Sequence, residues 1–116
     1  MPTQRVTVIY PNKDGSKFDF DYYTQKHVPW VARLVGKSIE VRRGISSAAG
    51  APAPYVCIAT IAANIAEFQA VFARHGAEIL ADVPNYTNIE PTVQFDEILA
   101  ECESLKMETA RPYSSR

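Results

Sequence analysis

The chain has 116 residues and a net charge of −1, enough length for one domain to bury a single core. Its 12 basic and 13 acidic residues are interspersed, which argues against a basic phosphate-tracking surface and therefore against nucleic acid. No apolar run approaches membrane-spanning length, and no signal peptide precedes the first strand pattern, so no membrane association is predicted.

Residues Arg5 to Tyr10 are β-branched and aromatic, and Pro11, Asn12 and Gly15 supply a turn, which predicts a first strand. Asp19 is a plausible N-cap for a helix beginning at Phe20, with Asp21 in its favourable first turn. That helix carries Phe20, Tyr23, His27 and Trp30 at i, i+3, i+7 and i+10, so the four project from roughly one side. A hydroxyl and an imidazole one turn apart are thus set among large apolar rings. Such a setting perturbs proton affinity and suits a small organic ligand. Pro29 disfavours helical geometry at Val28, so a kink or break is expected there, followed by a short helical piece from Trp30 to Val35 ended by Gly36.

Ser38 to Arg43 reads as a second strand, and Gly44 to Pro54 as a loop of small residues without period. Tyr55 to Ala62 is nearly all apolar and reads as a strand that is central or covered on both faces. Asn64 with Glu67 three residues later resembles a capping box, opening a helix whose apolar stripe includes Ile65, Phe68, Val71, Phe72, Ile79 and Leu80. His75 falls on that stripe and is expected to face the sheet or a pocket, as a satisfied structural histidine or as a ligand-binding one. Asp82 to Asn88 reads as a turn, Pro91 to Leu99 as the last strand, and 101–116 as a polar tail beyond a domain spanning 1–100.

The order βαββαβ predicts an α+β, ferredoxin-like domain with a four-stranded antiparallel sheet and both helices on one face. The strands promise no polar outer face, and a lone domain would leave that surface bare. Val6, Val8, Ile39, Val41, Val93 and Phe95 alternate along their strands, so each strand has one set for its helices and another for a partner. A homodimer closed face to face around a two-fold axis is expected, burying on the order of 1,500 Å² or more.

His27 is the candidate general base or acid, against the alternative of a core histidine satisfied by a carbonyl. Tyr23 could bond a substrate oxygen, hold the imidazole, or merely fill the core. Phe20 and Trp30 are candidate pocket walls or plain core. Tyr86 caps a pocket mouth or anchors its turn. Two histidines without a zinc-binding pattern leave no dedicated metal site. There is no glycine-rich dinucleotide loop, Walker lysine or Gly-x-Ser-x-Gly elbow, so no cofactor is expected and serine hydrolysis has no candidate. Cys57 and Cys102 lie too far apart to form a metal knuckle or redox motif, and a reduced cytoplasmic protein is the expected setting.

Several of these segments resemble the EthD family, named from gene clusters for ethyl tert-butyl ether degradation. They are Val6-Thr-Val-Ile-Tyr10-Pro, Phe18-Asp-Phe-Asp-Tyr-Tyr-x-x-x-His27-x-Pro29, and His75-x-x-Glu78-Ile-x-Ala-Asp-x-Pro84-Asn-Tyr86-Thr. The resemblance covers about residues 4 to 99 and implies the dimeric α+β barrel superfamily. Its members include cofactor-free monooxygenases, muconolactone isomerases, polyketide cyclases and haem-handling enzymes, with a pocket in each subunit between helices and sheet. On this footing the expected activity is that of a cofactor-independent oxidoreductase of monooxygenase type, or an isomerase, acting on small organic compounds in a degradation route. His27 would abstract a proton from a phenol or activated carbonyl, and Tyr23 would stabilise the oxyanion. The alternatives are a non-catalytic accessory protein that carries an apolar intermediate for an oxygenase system, and a haem protein with His75 as axial ligand.

Overall fold

A computed structural model describes residues 3–104. Strand β1 (Thr3–Pro11) is followed by α1 (Phe20–Tyr22), a π-helical stretch (Tyr23–His27) and α2 (Val28–Val35). Strands β2 (Ile39–Arg43) and β3 (Tyr55–Ile61) come next, then helix α3 (Ile65–Asp82), a 3-10 turn (Val83–Asn85) and β4 (Thr92–Ile98). The sheet order is β2-β3-β1-β4, antiparallel throughout, as the ferredoxin-like arrangement requires. Residues 105–116 of the expected tail lie outside the described residues.

Local chemistry sets the helix ends. The Asp19 carboxylate accepts from the Tyr22 N–H, and Gly36 ends α2 in the left-handed region at φ 74°. At Asn64 the capping box is complete, each side chain accepting from the other residue's backbone N–H.

The break expected at Pro29 is not there. Val28 keeps helical angles (φ −63°, ψ −46°), and its N–H reaches the Tyr23 carbonyl five residues back. Pro29 lacks an N–H and crowds the preceding turn, and the wider π turn relieves that crowding without ending the helix.

Register decides which face is which. Val8 lies opposite both Ala59 and Val93, Val6 opposite Ile61 and Phe95, and Val41 opposite Ala59. All six of the alternating strand residues, Val6, Val8, Ile39, Val41, Val93 and Phe95, therefore share the helix-facing side. Val6, Tyr10, Cys57, Ala59 and Ile61 are buried there against the helices. The outer face is more mixed than expected. Ile9, Val56 and Ile58 form an apolar half on β1 and β3, while Thr7 donates to Asp96, which also accepts from Gln94, on the β1–β4 half. The alternation of β4 sends its apolar residues inward and its polar ones out.

The β2–β3 loop is closed by the Gly44 N–H on the Val56 carbonyl. Only glycine fits at position 44, since a Cβ would lie 2.1 Å from the Tyr55 carbonyl oxygen.

Candidate functional site

The π stretch places two adjacent turns of side chains against the sheet, and both Tyr23 and His27 are buried. Across from them, the end of α3 and the 3-10 turn bring in Asp82 and Tyr86. The turn is pinned from outside: the Tyr86 carbonyl accepts from the Asp19 N–H at 2.7 Å, and Thr87 Oγ1 donates to the Lys17 carbonyl at 2.6 Å. Tyr10 arrives from the end of β1.

These residues make one connected array. Asp82 Oδ2 lies 2.8 Å from His27 Nδ1, and Asp82 Oδ1 accepts from the Tyr22 hydroxyl at 2.7 Å and from the Asn85 amide at 2.8 Å. His27 Nε2 lies 3.5 Å from the Tyr86 hydroxyl, which is 2.8 Å from that of Tyr10. The Tyr23 ring stacks on the imidazole, centroids 5.5 Å apart and planes 15° from parallel.

Protonation states follow from the surroundings. Partial burial pushes the Asp82 carboxyl up, but hydrogen bonds from His27, Asn85 and Tyr22 outweigh it and hold the group below the ordinary carboxylate value. Burial lowers His27 below its ordinary 6.5, against the opposing pull of Asp82. At neutral pH a neutral imidazole therefore faces an ionised carboxylate. The nitrogen beside Asp82 must carry the proton, so Nδ1–H donates and Nε2 presents its lone pair. Tyr86 then donates toward Nε2, and Tyr10 donates to Tyr86. Burial pushes Tyr10, Tyr23 and Tyr86 well above the ordinary phenol value, so they act as donors, never as bases, at any working pH. The Cys57 thiol, pushed up to about 12 by burial, is an inert core group.

Nε2 looks into a cavity of about 100 Å³ between helices and sheet, walled by Val8, Val31, Ile39, Ile61 and Phe68 along with the tyrosines. Half-exposed Leu80 and Val93 mark where it reaches the surface. Among the described residues that line it, none is Lys, Arg, Asp or Glu. The carboxylate of Asp82 lies on the other side of the imidazole, lining an open groove with Tyr22, Lys26 and Trp30.

Of the six residues singled out from sequence, Tyr23, His27 and Tyr86 meet at the cavity. Phe20 and Trp30 do not line it. The four-residue face was drawn at regular α-helical spacing, and the extra residue of the π turn puts its two ends out of phase with the middle. Phe20 instead packs on Phe18 beneath Arg43, and Trp30 lies edge-on to His27 along the outer groove. His75 does not face the sheet or the cavity; it is half-exposed, its Nδ1 3.0 Å from Glu78 one turn on. Among the described residues, no three His, Cys, Asp or Glu side chains come together as a metal site, and no helix is long and apolar enough to cross a membrane.

Asp82 and Tyr10 are not among the residues expected at the site, although both stand in the segments that resemble the EthD family. Asp82 proves to be the last residue of α3, where the helix dipole disfavours an acid, so it needs some other partner to be there.

The chain is similar to an EthD-like protein from Ralstonia eutropha JMP134, at 36% identity and a TM-score of 0.78, over 88% of this chain and 96% of that one. It also shares its fold with an ethyl tert-butyl ether (EthD) family protein from Bacillus halodurans C-125, at 16% identity and a TM-score of 0.50, over 79% and 97% of the two chains. No protein-family profile matches the chain, and no curated protein does.

Proposed function

The chain belongs to the EthD family, and from that premise we propose that it performs acid–base chemistry on a small organic molecule held in the cavity beside His27. The observation that carries this is the orientation of one imidazole. Its Nδ1 is held by an ionised Asp82 while its Nε2 lies on the side of the largely apolar cavity, with the Tyr86 hydroxyl 3.5 Å away. That arrangement is a poised general base, with the carboxylate fixing the tautomer and balancing the imidazolium when it forms.

The step balances simply. A ligand O–H, or the C–H beside a ligand carbonyl, gives its proton to His27 Nε2, and the electron pair stays on the ligand. The Tyr86 hydroxyl, polarised by Tyr10, donates to the oxyanion, and Tyr23 holds the ring from its face. Tyr86 therefore takes the part first expected of Tyr23. The anion so formed is the common starting point for isomerisation, for cyclisation, or for reaction with dioxygen of the monooxygenase kind.

The assembly that goes with this reading is a homodimer closed over Ile9, Val56 and Ile58, the apolar half of the outer sheet face.

4-Nitrophenol, whose ionised form absorbs visibly, tests the chemistry without a known substrate. Bound to the wild-type protein about one pH unit below its solution pKa, it should show phenolate absorbance in excess of the free probe. His27→Ala should remove that excess. A probe bound as tightly but held as the neutral phenol would instead support the reading of a carrier that only binds.

A further inference from the structure

We propose that the ligand of this cavity is an uncharged, single-ring-sized molecule with one hydroxyl or enolisable carbonyl oxygen, entering between Leu80 and Val93 and seating that oxygen between His27 Nε2 and Tyr86. This rests on the acid–base reading above and narrows it by charge, size and number of polar groups.

Charge is decided by the lining. No Lys or Arg stands among the described residues around the cavity, and the nearest ionised group is the Asp82 carboxylate behind the imidazole. A carboxylate or phosphate entering here would be desolvated with no counter-charge and would face a like charge one ring away. A proton passed from ligand to His27 creates no such problem, since the net charge of the pair is unchanged. The route in has the same character, because half-exposed Leu80 and Val93 frame it.

Size follows from the volume of about 100 Å³. Apolar cavities of roughly 150 Å³ take up benzene, so one ring is the most this smaller space accepts, and part of it must reach toward the mouth.

The number of polar groups follows from what is left unoccupied. The Tyr10 hydroxyl is engaged with those of Tyr86 and Tyr23, and His27 Nδ1 with Asp82. What remains is one acceptor nitrogen and one donor hydroxyl 3.5 Å apart, longer than a good hydrogen bond. An oxygen seated about 2.8 Å from both would satisfy the two at once. A second polar group on the ligand would meet apolar side chains and the Tyr10 and Tyr23 hydroxyls, which are already engaged with each other.

Calorimetric titration at neutral pH with phenol, toluene and benzoate separates the three requirements, because all have one ring. Phenol should bind, toluene about tenfold more weakly for want of the oxygen, and benzoate at least about a hundredfold more weakly for its buried charge. In Tyr86→Phe the phenol–toluene difference should shrink to roughly threefold while toluene binds as before, which also shows that the cavity is intact. Benzoate equal to phenol, toluene equal to phenol, or no binding of any of the three overturns the proposal. Failure of the acid–base reading looks different: phenol keeps its place in this ranking, yet bound 4-nitrophenol stays protonated.

Discussion

Replacing Asp82 with Asn isolates what the carboxylate does for the imidazole. The amide oxygen can still accept from His27 Nδ1–H and shape is kept, so on the imidazole side the ground state loses only the charge in a 2.8 Å hydrogen bond, while on the groove side the NH2 no longer accepts from Tyr22 and Asn85. A hydrogen bond to a charged group contributes about 1.5–3 kcal/mol against roughly 0.5–1.5 for a neutral one. The difference is small while the ring is neutral. It grows when the ring accepts a proton, because two unit charges about 4 Å apart attract by some 4 kcal/mol at an intermediate dielectric. Asp82 is partly solvated at its groove side and already shared with Tyr22 and Asn85, so about 1.5–3 kcal/mol of that should be felt. Proton transfer to His27 should slow roughly ten- to a hundredfold in Asp82→Asn. The imidazole should titrate at lower pH than in the wild type, since the group opposing its desolvation is gone. Ring nitrogen NMR across a pH series checks both the tautomer and the shift. A His27 that titrates identically in the two proteins, or that carries its neutral-state proton on Nε2 in the wild type, would refute the reasoning.

Stability should depend on pH through the same ring. His27 has a lower proton affinity folded than unfolded, so below about 6.5 the unfolded chain takes up the proton first. Stability is therefore full above that pH and falls as the pH drops through the lowered value, and urea melts should show this limb flattened in His27→Gln. Gly44→Ala pushes a Cβ to 2.1 Å from the Tyr55 carbonyl oxygen and 2.8 Å from the Ala53 methyl; we expect a loss of about 2 kcal/mol, a fall in Tm of roughly 10 °C by calorimetry. For the dimer, light scattering at micromolar concentration should give about twice the chain mass of 12.9 kDa, and Ile58→Asp should bring it to one; a well-folded wild-type monomer refutes the assembly.

Much of the fold can be read from local chemistry because local chemistry causes it. The caps at Asp19 and Asn64, the stop at Gly36 and the alternation of β1 each act within a few residues, and each is where the pattern puts it. The site is another matter. His27 was conspicuous as a polar group among aromatics, but its partner Asp82 is 55 positions away and sits in what reads as an ordinary turn. Phe20 and Trp30 were grouped with it by a period that one irregular turn changes. His75 keeps to its predicted helix yet finds Glu78 and solvent, since a stripe drawn along eighteen residues does not say how far the sheet beneath it extends. The outer face was misjudged for a similar reason: Gln94 and Asp96 are polar at every second position, a feature that only the register assigns to that side.

The π turn has a consequence for how such a helix could arise and be undone. A segment from Tyr23 to His27 that closes five residues back carries one residue more than a regular helix needs. Deleting one of the solvent-facing residues Thr24, Gln25 or Lys26 would let the backbone return to ordinary winding. Four steps of π winding turn the chain by roughly 330° and three steps of ordinary helix by roughly 300°, so the segments on either side of the cut would keep nearly the same facing. Tyr23 and His27 would then stand three positions apart on one face of a regular helix, and what changes is the stacking of the two rings, now 5.5 Å between centroids. The surplus residue thus sets how the imidazole meets its neighbouring ring, and a chain without it would keep both the fold and a histidine on the cavity side of the helix.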